Sequence, residues 1–279
     1  MACVATMQDT GAWPEGVLRV GVDLVRVAEV REALARYGAR YLTRCYSAAE
    51  IAWCQASTGM SAERLAARFA AKEAALKVLE PSEGDGPVPD FRAIEVIRRR
   101  SGACALRLDG AAAVLARRRG IAALACSLAH EGEYAAAVVL GTKVTGSPRR
   151  GKDAVAEIAL PGARARERGE VATRPRRSST QRVSPRGGQA DNKGAITMDE
   201  SIRQILAQHA RLQVDPATLA DDADLYQAGL TSHSSVSVML ALEDEFDIEF
   251  PQEMLRKKTF QSIAAIREAL SGLGAAAVR

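Results

Sequence analysis

Aromatic residues are scarce in this chain: Phe, Tyr and Trp together make up 4% of its 279 residues, within an apolar share of 47% in which Ala is abundant. So few rings argue against an aromatic-rich β-barrel and for helix-rich packing of small side chains. Cysteine is also sparse and unpatterned. The five thiols (Cys3, Cys45, Cys54, Cys104, Cys126) nowhere stand as Cys-x-x-Cys, which supports neither a zinc site nor a disulfide framework and leaves reduced, mostly buried thiols. No window approaches 18 uninterrupted apolar residues, so no membrane span is expected. The first 16 residues lack a basic stretch followed by a long apolar run, so they read as a loose leader rather than a signal peptide. The expected location is cytoplasmic.

What is present is unevenly charged. Residues 1–141 hold 18 basic and 16 acidic residues, a net of +2. Residues 142–197 hold 13 and 5, a net of +8, and residues 198–279 hold 7 and 13, a net of −6. Opposite charge on segments of one chain suggests that they, or their partners, meet electrostatically.

The length allows two domains. Leu18 to Val25 alternates as a half-buried strand should, with Leu18, Val20, Val22 and Leu24 on one face and Arg19, Gly21 and Asp23 on the other. Gly21 leaves open space beside Asp23, whose carboxylate is equally readable as a helix cap or a metal ligand. Helices follow over about 27–37, ended by Gly38, over 48–56 after the capping-box start Ser47-Ala-Ala-Glu50, and over 62–79 after Ser61. Beyond the Pro- and Gly-rich loop 81–89 come strands at 93–98 and 103–108, a helix at 110–118, and a strand pair, 123–130 and 134–140. Mixed rather than alternating elements indicate an α+β class.

Residues 142–197 lose hydrophobic periodicity and read as a disordered basic linker. They interleave no aromatics for stacking, which argues against a nucleic-acid-binding arm. From Met198 the pattern turns helical again, over 199–212, 235–246, a short segment near 251–255 and 262–270, as in a small four-helix bundle.

The chemistry concentrates in Arg68-Phe-Ala-Ala-Lys72-Glu73-Ala-Ala-Leu-Lys77. At about 3.6 residues per turn, Phe69, Glu73 and Lys77 share one stripe, with Arg68 and Lys72 on a basic stripe beside it. One carboxylate among cations suits a divalent metal bridging to a polyphosphate; the plainer alternative is a solvated helix face held by Glu–Lys pairs. Ser232, opening a helix, is locally readable as an N-cap. Of the three lone histidines, His209 reads as structural, while His233 stands next to Ser232.

Residues 17–141 resemble the holo-acyl-carrier-protein synthase type of 4′-phosphopantetheinyl transferase. The resemblance rests on Gly21-Val-Asp23-Leu-Val, on Arg68-Phe-Ala-Ala-Lys72-Glu73-Ala-x-x-Lys77, and on Ser127-Leu-Ala-His130 with Tyr134-Ala-Ala-Ala-Val-Val, in that order. Residues 198–272 resemble an acyl carrier protein through Asp224-Leu-Tyr-x-x-Gly229-Leu-Thr-Ser232 and the run Met239 to Pro251. The likeness implies an α+β synthase domain, a linker and an all-α carrier bundle: a modifying enzyme fused to its own substrate. It further implies Mg²⁺ held by Asp23 and Glu73 against the pyrophosphate of coenzyme A, with Lys77 assisting at the phosphates. Arg68, Phe69, Lys72, Ser127 and His130 would lie on the nucleotide side. Ser232 would be the acceptor of 4′-phosphopantetheine, with adenosine 3′,5′-bisphosphate leaving. The carrier would be modified in cis or across subunits of a homotrimer. A different class of reading is a non-catalytic oligomeric scaffold presenting a carrier module.

Three departures from the family pattern are informative. Carriers usually show Asp-Ser-Leu where this chain has Thr231-Ser232-His233, and the synthases often carry a basic residue six positions beyond the strand aspartate, where this chain has Glu29. We therefore expect Glu29 and Thr231 to form a matched pair. Glycines that usually follow the helix lysine closely come later here, at Gly84 and Gly86.

Overall fold

A helix with alanine pairs along its buried side lies at the centre of the first half of the chain. In the computed structural model, which describes residues 18–56, 59–82, 85, 89–143 and 197–275, this is α4 (Ala62–Leu79), started by the Ser61 side chain accepting from the Arg64 amide. Ala66, Ala67, Ala70, Ala71, Ala74 and Ala75 are all buried along it. Short side chains let the helix axis approach a sheet closely, and the sheet answers with glycine. β1 (Arg19–Arg26) pairs antiparallel with β7 (Tyr134–Lys143), which pairs in turn with β6 (Ile121–Glu131), giving the order β1-β7-β6. A Cβ built on Gly21 would stand 1.9 Å from the Ala74 carbonyl oxygen. The space expected beside Asp23 is therefore filled by the backbone of α4.

This contact inverts the expected burial of β1. The face bearing Arg19, Gly21 and Asp23 turns toward α4, whereas Val20 and Leu24 are 58% and 61% exposed. Val138 and Leu140, cross-strand from Val22 and Val20, are exposed on the same side. Within one chain the apolar face of the sheet is open.

Around α4 run α1 (Val27–Tyr37), α2 (Ala39–Cys45) and α3 (Ala48–Cys54), the last started by the expected capping box of Ser47 and Glu50. Helix α2 has no counterpart in the sequence reading. It is only seven residues long, too short for a periodic signal, and follows Gly38, whose φ of 53° ends α1 and turns the chain. A two-residue hairpin, β2 (Gln55–Ala56) with β3 (Gly59–Met60), is also unanticipated. The pair β4 (Ile94–Arg98) and β5 (Cys104–Leu108) and the helix α5 (Gly110–Arg118) complete this half close to their expected positions.

Lys72 belongs to the core, contrary to its expected place at a phosphate. It is fully buried, and its ammonium donates to Glu50 Oε2 (2.7 Å) and to the carbonyls of Phe91 (2.8 Å) and Ile94 (2.7 Å). All three donors are spent, so none remains for a ligand. Glu50 also accepts from the Val96 and Ser47 amides, so this ion pair stitches α3, α4 and β4 together.

The second half folds as α6 (Met198–His209), α7 (Ser232–Phe246) and α8 (Ile263–Gly272), with single 3₁₀ turns at Gln252–Met254 and Lys257–Phe260 where a short segment was expected. Helix α6 stops before 212 because Arg211 takes a φ of +52°. Helix α7 starts three residues earlier than its apolar pattern. The leader, residues 144–196 of the linker and parts of the loop after α4, Gly84 and Gly86 among them, lie outside the described residues.

Two substitutions test this core. Gly21→Ala forces a methyl into the Ala74 carbonyl and should lower stability by about 1–3 kcal/mol in urea unfolding; an unchanged midpoint would contradict the close approach. Lys72→Ala strands Glu50 without a counter-charge and should cost roughly 3–5 kcal/mol in the same assay.

Candidate active site

The approach of α4 to β1 sets two acids side by side. Asp23 leaves the α4-facing side of β1, and Lys77 reaches back from the last turn of α4 to Asp23 Oδ1 (2.9 Å) and the Val22 carbonyl (2.7 Å). Burial raises the Asp23 carboxyl above its ordinary range, against the pull of Lys77. One turn before Lys77, Glu73 is 9% exposed. Burial pushes its carboxyl up to about 7, with Asp23 adding to the rise and Ser232 and Lys77 opposing it. Burial thus raises both carboxyls, and the charge of Asp23 raises Glu73 further, with Lys77 as the cation beside them.

Into this pair projects the start of α7. Thr231 is the N-cap: its side chain accepts from the Ser234 amide, and Ser234 Oγ accepts in turn from the Thr231 amide (2.9 Å). Ser235 Oγ donates to the Ser232 carbonyl (2.7 Å). The hydroxyls of the neighbouring serines are thus engaged within the helix, while Ser232 is left facing Glu73, whose carboxyl it helps to lower. Ser232 is not the cap; Thr231 does that work.

The contact is held by a surface that sequence reasoning missed. Arg40 and Arg44 on α2 meet the acidic end of α7. Glu243, buried there, accepts from Arg40 Nη2 (2.9 Å), Arg44 Nη2 (2.7 Å) and the Phe250 amide (3.0 Å), while Arg40 also pairs with Asp244. Their signal was the i, i+4 spacing of Arg40 and Arg44 beside Tyr41 and Cys45. Among the described residues, then, the acidic second half meets α2, with the basic linker left outside. The Tyr37 hydroxyl donates to the Ser237 carbonyl (3.1 Å), and Arg211 pairs with Glu32 (2.5 Å).

Thr231, which we expected to be matched to Glu29, turns its side chain to the cap of α7, so the two positions do not meet through a direct hydrogen bond. Glu29 instead faces His233, with 3.7 Å between Oε2 and Nδ1, and feels the charge of Arg211. His233 is buried, its Nε2 lying 2.8 Å from the Tyr41 hydroxyl. His209 is half-buried with its ring 6.4 Å from that of Tyr37.

The remaining nucleotide-side candidates disperse. Phe69 is fully buried, its ring 4.9 Å from both Phe91 and His233. The Arg68 guanidinium stacks 4.0 Å over Trp53, joined there by Arg64 and Arg98, and lines an open cleft of about 370 Å³. Ser127 and His130 are exposed on β6, and Ser127, paired with Val138, lies on the sheet face turned away from α4. Asp23, Glu73, Lys77 and Ser232 are brought together; Arg68, Lys72, Ser127 and His130 stand apart from them. A second cleft, of about 230 Å³, opens beside Glu73 and Ser232, lined by Leu76, Phe91 and Met239 with Arg256 and Lys257 also in its wall.

Comparison with known proteins accounts for both halves. Residues 19–139 match the 4′-phosphopantetheinyl transferase superfamily, and residues 200–267 match the phosphopantetheine attachment site. The chain is similar to a holo-[acyl-carrier-protein] synthase of Chloroflexus aurantiacus, at 46% identity over 129 residues, which are 43% of this chain and 94% of that protein. Its second half is similar to an aminoacyl carrier protein of Agrobacterium fabrum, at 51% identity over 71 residues, 25% of this chain and 86% of that one. Among solved structures it is similar to the Chronobacterium ammoniagenes synthase–coenzyme A complex, at 36% identity, covering 46% of this chain and 99% of that one with a TM-score of 0.41. The chain belongs to the 4′-phosphopantetheinyl transferase superfamily as a holo-[acyl-carrier-protein] synthase and carries a phosphopantetheine attachment domain on the same polypeptide.

Proposed function

We propose that this synthase transfers 4′-phosphopantetheine from coenzyme A to Ser232 of its own carrier domain. The observation that carries the reading is the placement of Ser232 against Glu73 in one cleft, reached with the carrier seated on α1 and α2. The Ser232 oxygen would attack the β-phosphorus of coenzyme A. The new P–O bond would form as the bond to the nucleotide breaks, and adenosine 3′,5′-bisphosphate would leave. Glu73, raised to about 7 and facing Ser232, is placed to take the hydroxyl proton. Lys77, beside Asp23, would help neutralise phosphate charge. The contact also favours catalysis over a scaffold role, since a mere display module has no need of its serine on a buried acid.

The residues fit Mg²⁺. Asp23 and Glu73 offer the hard oxygen donors that such a cation takes, and a cation there would offset the burial that raises both carboxyls and the charge that Asp23 sets against Glu73. No group of three acidic, His or Cys side chains occurs among the described residues, so phosphate oxygens and water would complete the set. Bound there, Mg²⁺ would supply charge neutralisation at the pyrophosphate. The apolar wall of the cleft beside Ser232, formed by Leu76, Phe91 and Met239, suits the pantetheine arm, and the Arg68–Trp53 cluster offers cationic charge to the nucleotide phosphates.

The open apolar face of the β1-β7-β6 sheet supports self-association, with a second copy of this chain as its occupant. Ser127 lies on that face, so assembly would carry it toward a neighbouring copy, in keeping with the homotrimer that the family resemblance implies.

Two experiments test these readings. Intact-mass analysis with Mg²⁺ and coenzyme A should record a gain of one phosphopantetheine, absent from Ser232→Ala and from Asp23→Ala; no gain on the wild-type chain would refute self-modification. Val138→Glu combined with Leu140→Glu should reduce the mass measured by light scattering to that of a single chain, and an unchanged mass would mean that this face is not the interface.

A further inference from the structure

We propose that His233, in the wall of the docking cleft, is the residue by which this synthase selects its carrier, read by the buried Tyr41 hydroxyl of α2. The inference rests on the own-carrier reading above and adds to it which carriers are accepted. The cleft, of about 460 Å³, is walled by Glu29, Glu32 and Tyr37 of α1 and by His209, Arg211 and His233 of the carrier.

With all three contacts around Tyr41 and Tyr46 made as hydrogen bonds, a count of hydrogens gives their direction. Tyr46 has one hydroxyl hydrogen and donates it to the Leu65 carbonyl (3.1 Å). The 3.1 Å contact between the Tyr41 and Tyr46 hydroxyls must then run from Tyr41 to Tyr46. Tyr41 has no hydrogen left for His233, so the 2.8 Å contact runs from His233 Nε2–H to the Tyr41 oxygen. The two tyrosines are fully buried, so this oxygen needs a donor that arrives with the carrier. An aliphatic side chain after the modified serine leaves it unpaired, and also loses the edge-on contacts of the imidazole with Phe69 (4.9 Å) and Tyr41 (5.7 Å).

The surface of α1 around this position is acidic: Glu29 lies 3.7 Å from the buried, unpartnered Nδ1, and Glu32 binds Arg211 of the carrier. Arg211 keeps a φ of +52°, a left-handed backbone that favours glycine, and its side chain is what reaches the acidic pair. An acidic carrier residue in this place would be repelled. From the elements packed on His233, the groups facing it are Glu29 of α1, Tyr41 of α2 and Phe69 of α4, with Arg211 on its own domain. Burial, with Arg211 adding, pushes the imidazole down from 6.5 to about 4. A lowered value means that docking favours the neutral ring: docking is complete above 6.5 and weakens as pH falls from 6.5 toward 4, by up to about tenfold per unit.

The test uses two full-length chains, so that every transfer occurs between molecules. The donor carries Ser232→Ala and has no acceptor; the acceptor carries Glu73→Gln and keeps its carrier. Transfer from coenzyme A is followed by intact mass. Adding His233→Leu to the acceptor should lower kcat/KM about tenfold to a hundredfold, chiefly through KM. Adding Tyr41→Phe to the donor should narrow that gap, because no orphaned oxygen then remains. The rise in KM from pH 7 to pH 5 should be present with the His233 acceptor and missing with the His233→Leu acceptor. Circular dichroism confirms that the substituted carrier folds, and the Tyr41→Phe arm leaves the carrier untouched. Equal kcat/KM for both acceptors, or a gap indifferent to Tyr41→Phe, overturns the proposal. Absence of transfer even to the His233 acceptor instead refutes the own-carrier reading, and this inference with it.

Discussion

How near α4 can lie to β1 sets everything else at the site, because Asp23 and Glu73 sit on opposite sides of that contact. Gly21 gives up its side chain to the Ala74 carbonyl, and the alanines of α4 remove bulk from the helix side. Only then does a strand carboxylate come level with a helical one. The cost is electrostatic. Burial raises both acids, the charge of Asp23 raises Glu73 further, and Lys77 offsets only part of it. A tight backbone contact is thus converted into a site whose acids hold their protons more firmly than free carboxylates do.

The carrier arrives at this site by a division of labour at the start of α7. Thr231 caps the helix, Ser234 and Ser235 satisfy local backbone groups, and Ser232 is left with its hydroxyl directed outward at the positive end of the helix dipole. At the far end of α7, Glu243 is held by Arg40, Arg44 and its own Phe250 amide. A buried carboxylate with this many charge-assisted donors fixes the helix along its length rather than at a single point. The docking surface therefore has two poles: a basic one on α2 that takes the acidic end of α7, and an acidic one on α1 that faces Arg211 and His233. Reversed polarity at the two poles gives the carrier one orientation.

Much of this was readable from residue order. The caps at Ser47 and Ser61, the alanine-rich helix over 62–79 and the stripe of Phe69, Glu73 and Lys77 follow from short-range rules that depend on neighbours within a few positions. The same rules misplaced Lys72, since a lysine beside a glutamate on a helix looks identical whether it faces water or Glu50 of α3. They missed α2 because seven residues give no periodicity, and Arg211 because a loop residue acquires meaning only from the surface opposite.

The sequence by itself determined most of the longer helices and strands and the two-part organisation, and it named Asp23, Glu73, Lys77 and Ser232, which the fold brings together, because motifs at fixed spacing survive without coordinates. Tertiary structure alone decided which face of β1 is covered, that Lys72 is structural, and that Glu29 meets His233 rather than Thr231. These are questions of what lies across from a side chain, and chain order carries no record of that. Opposition in space is set by packing, here by a helix lean enough to lie against a glycine.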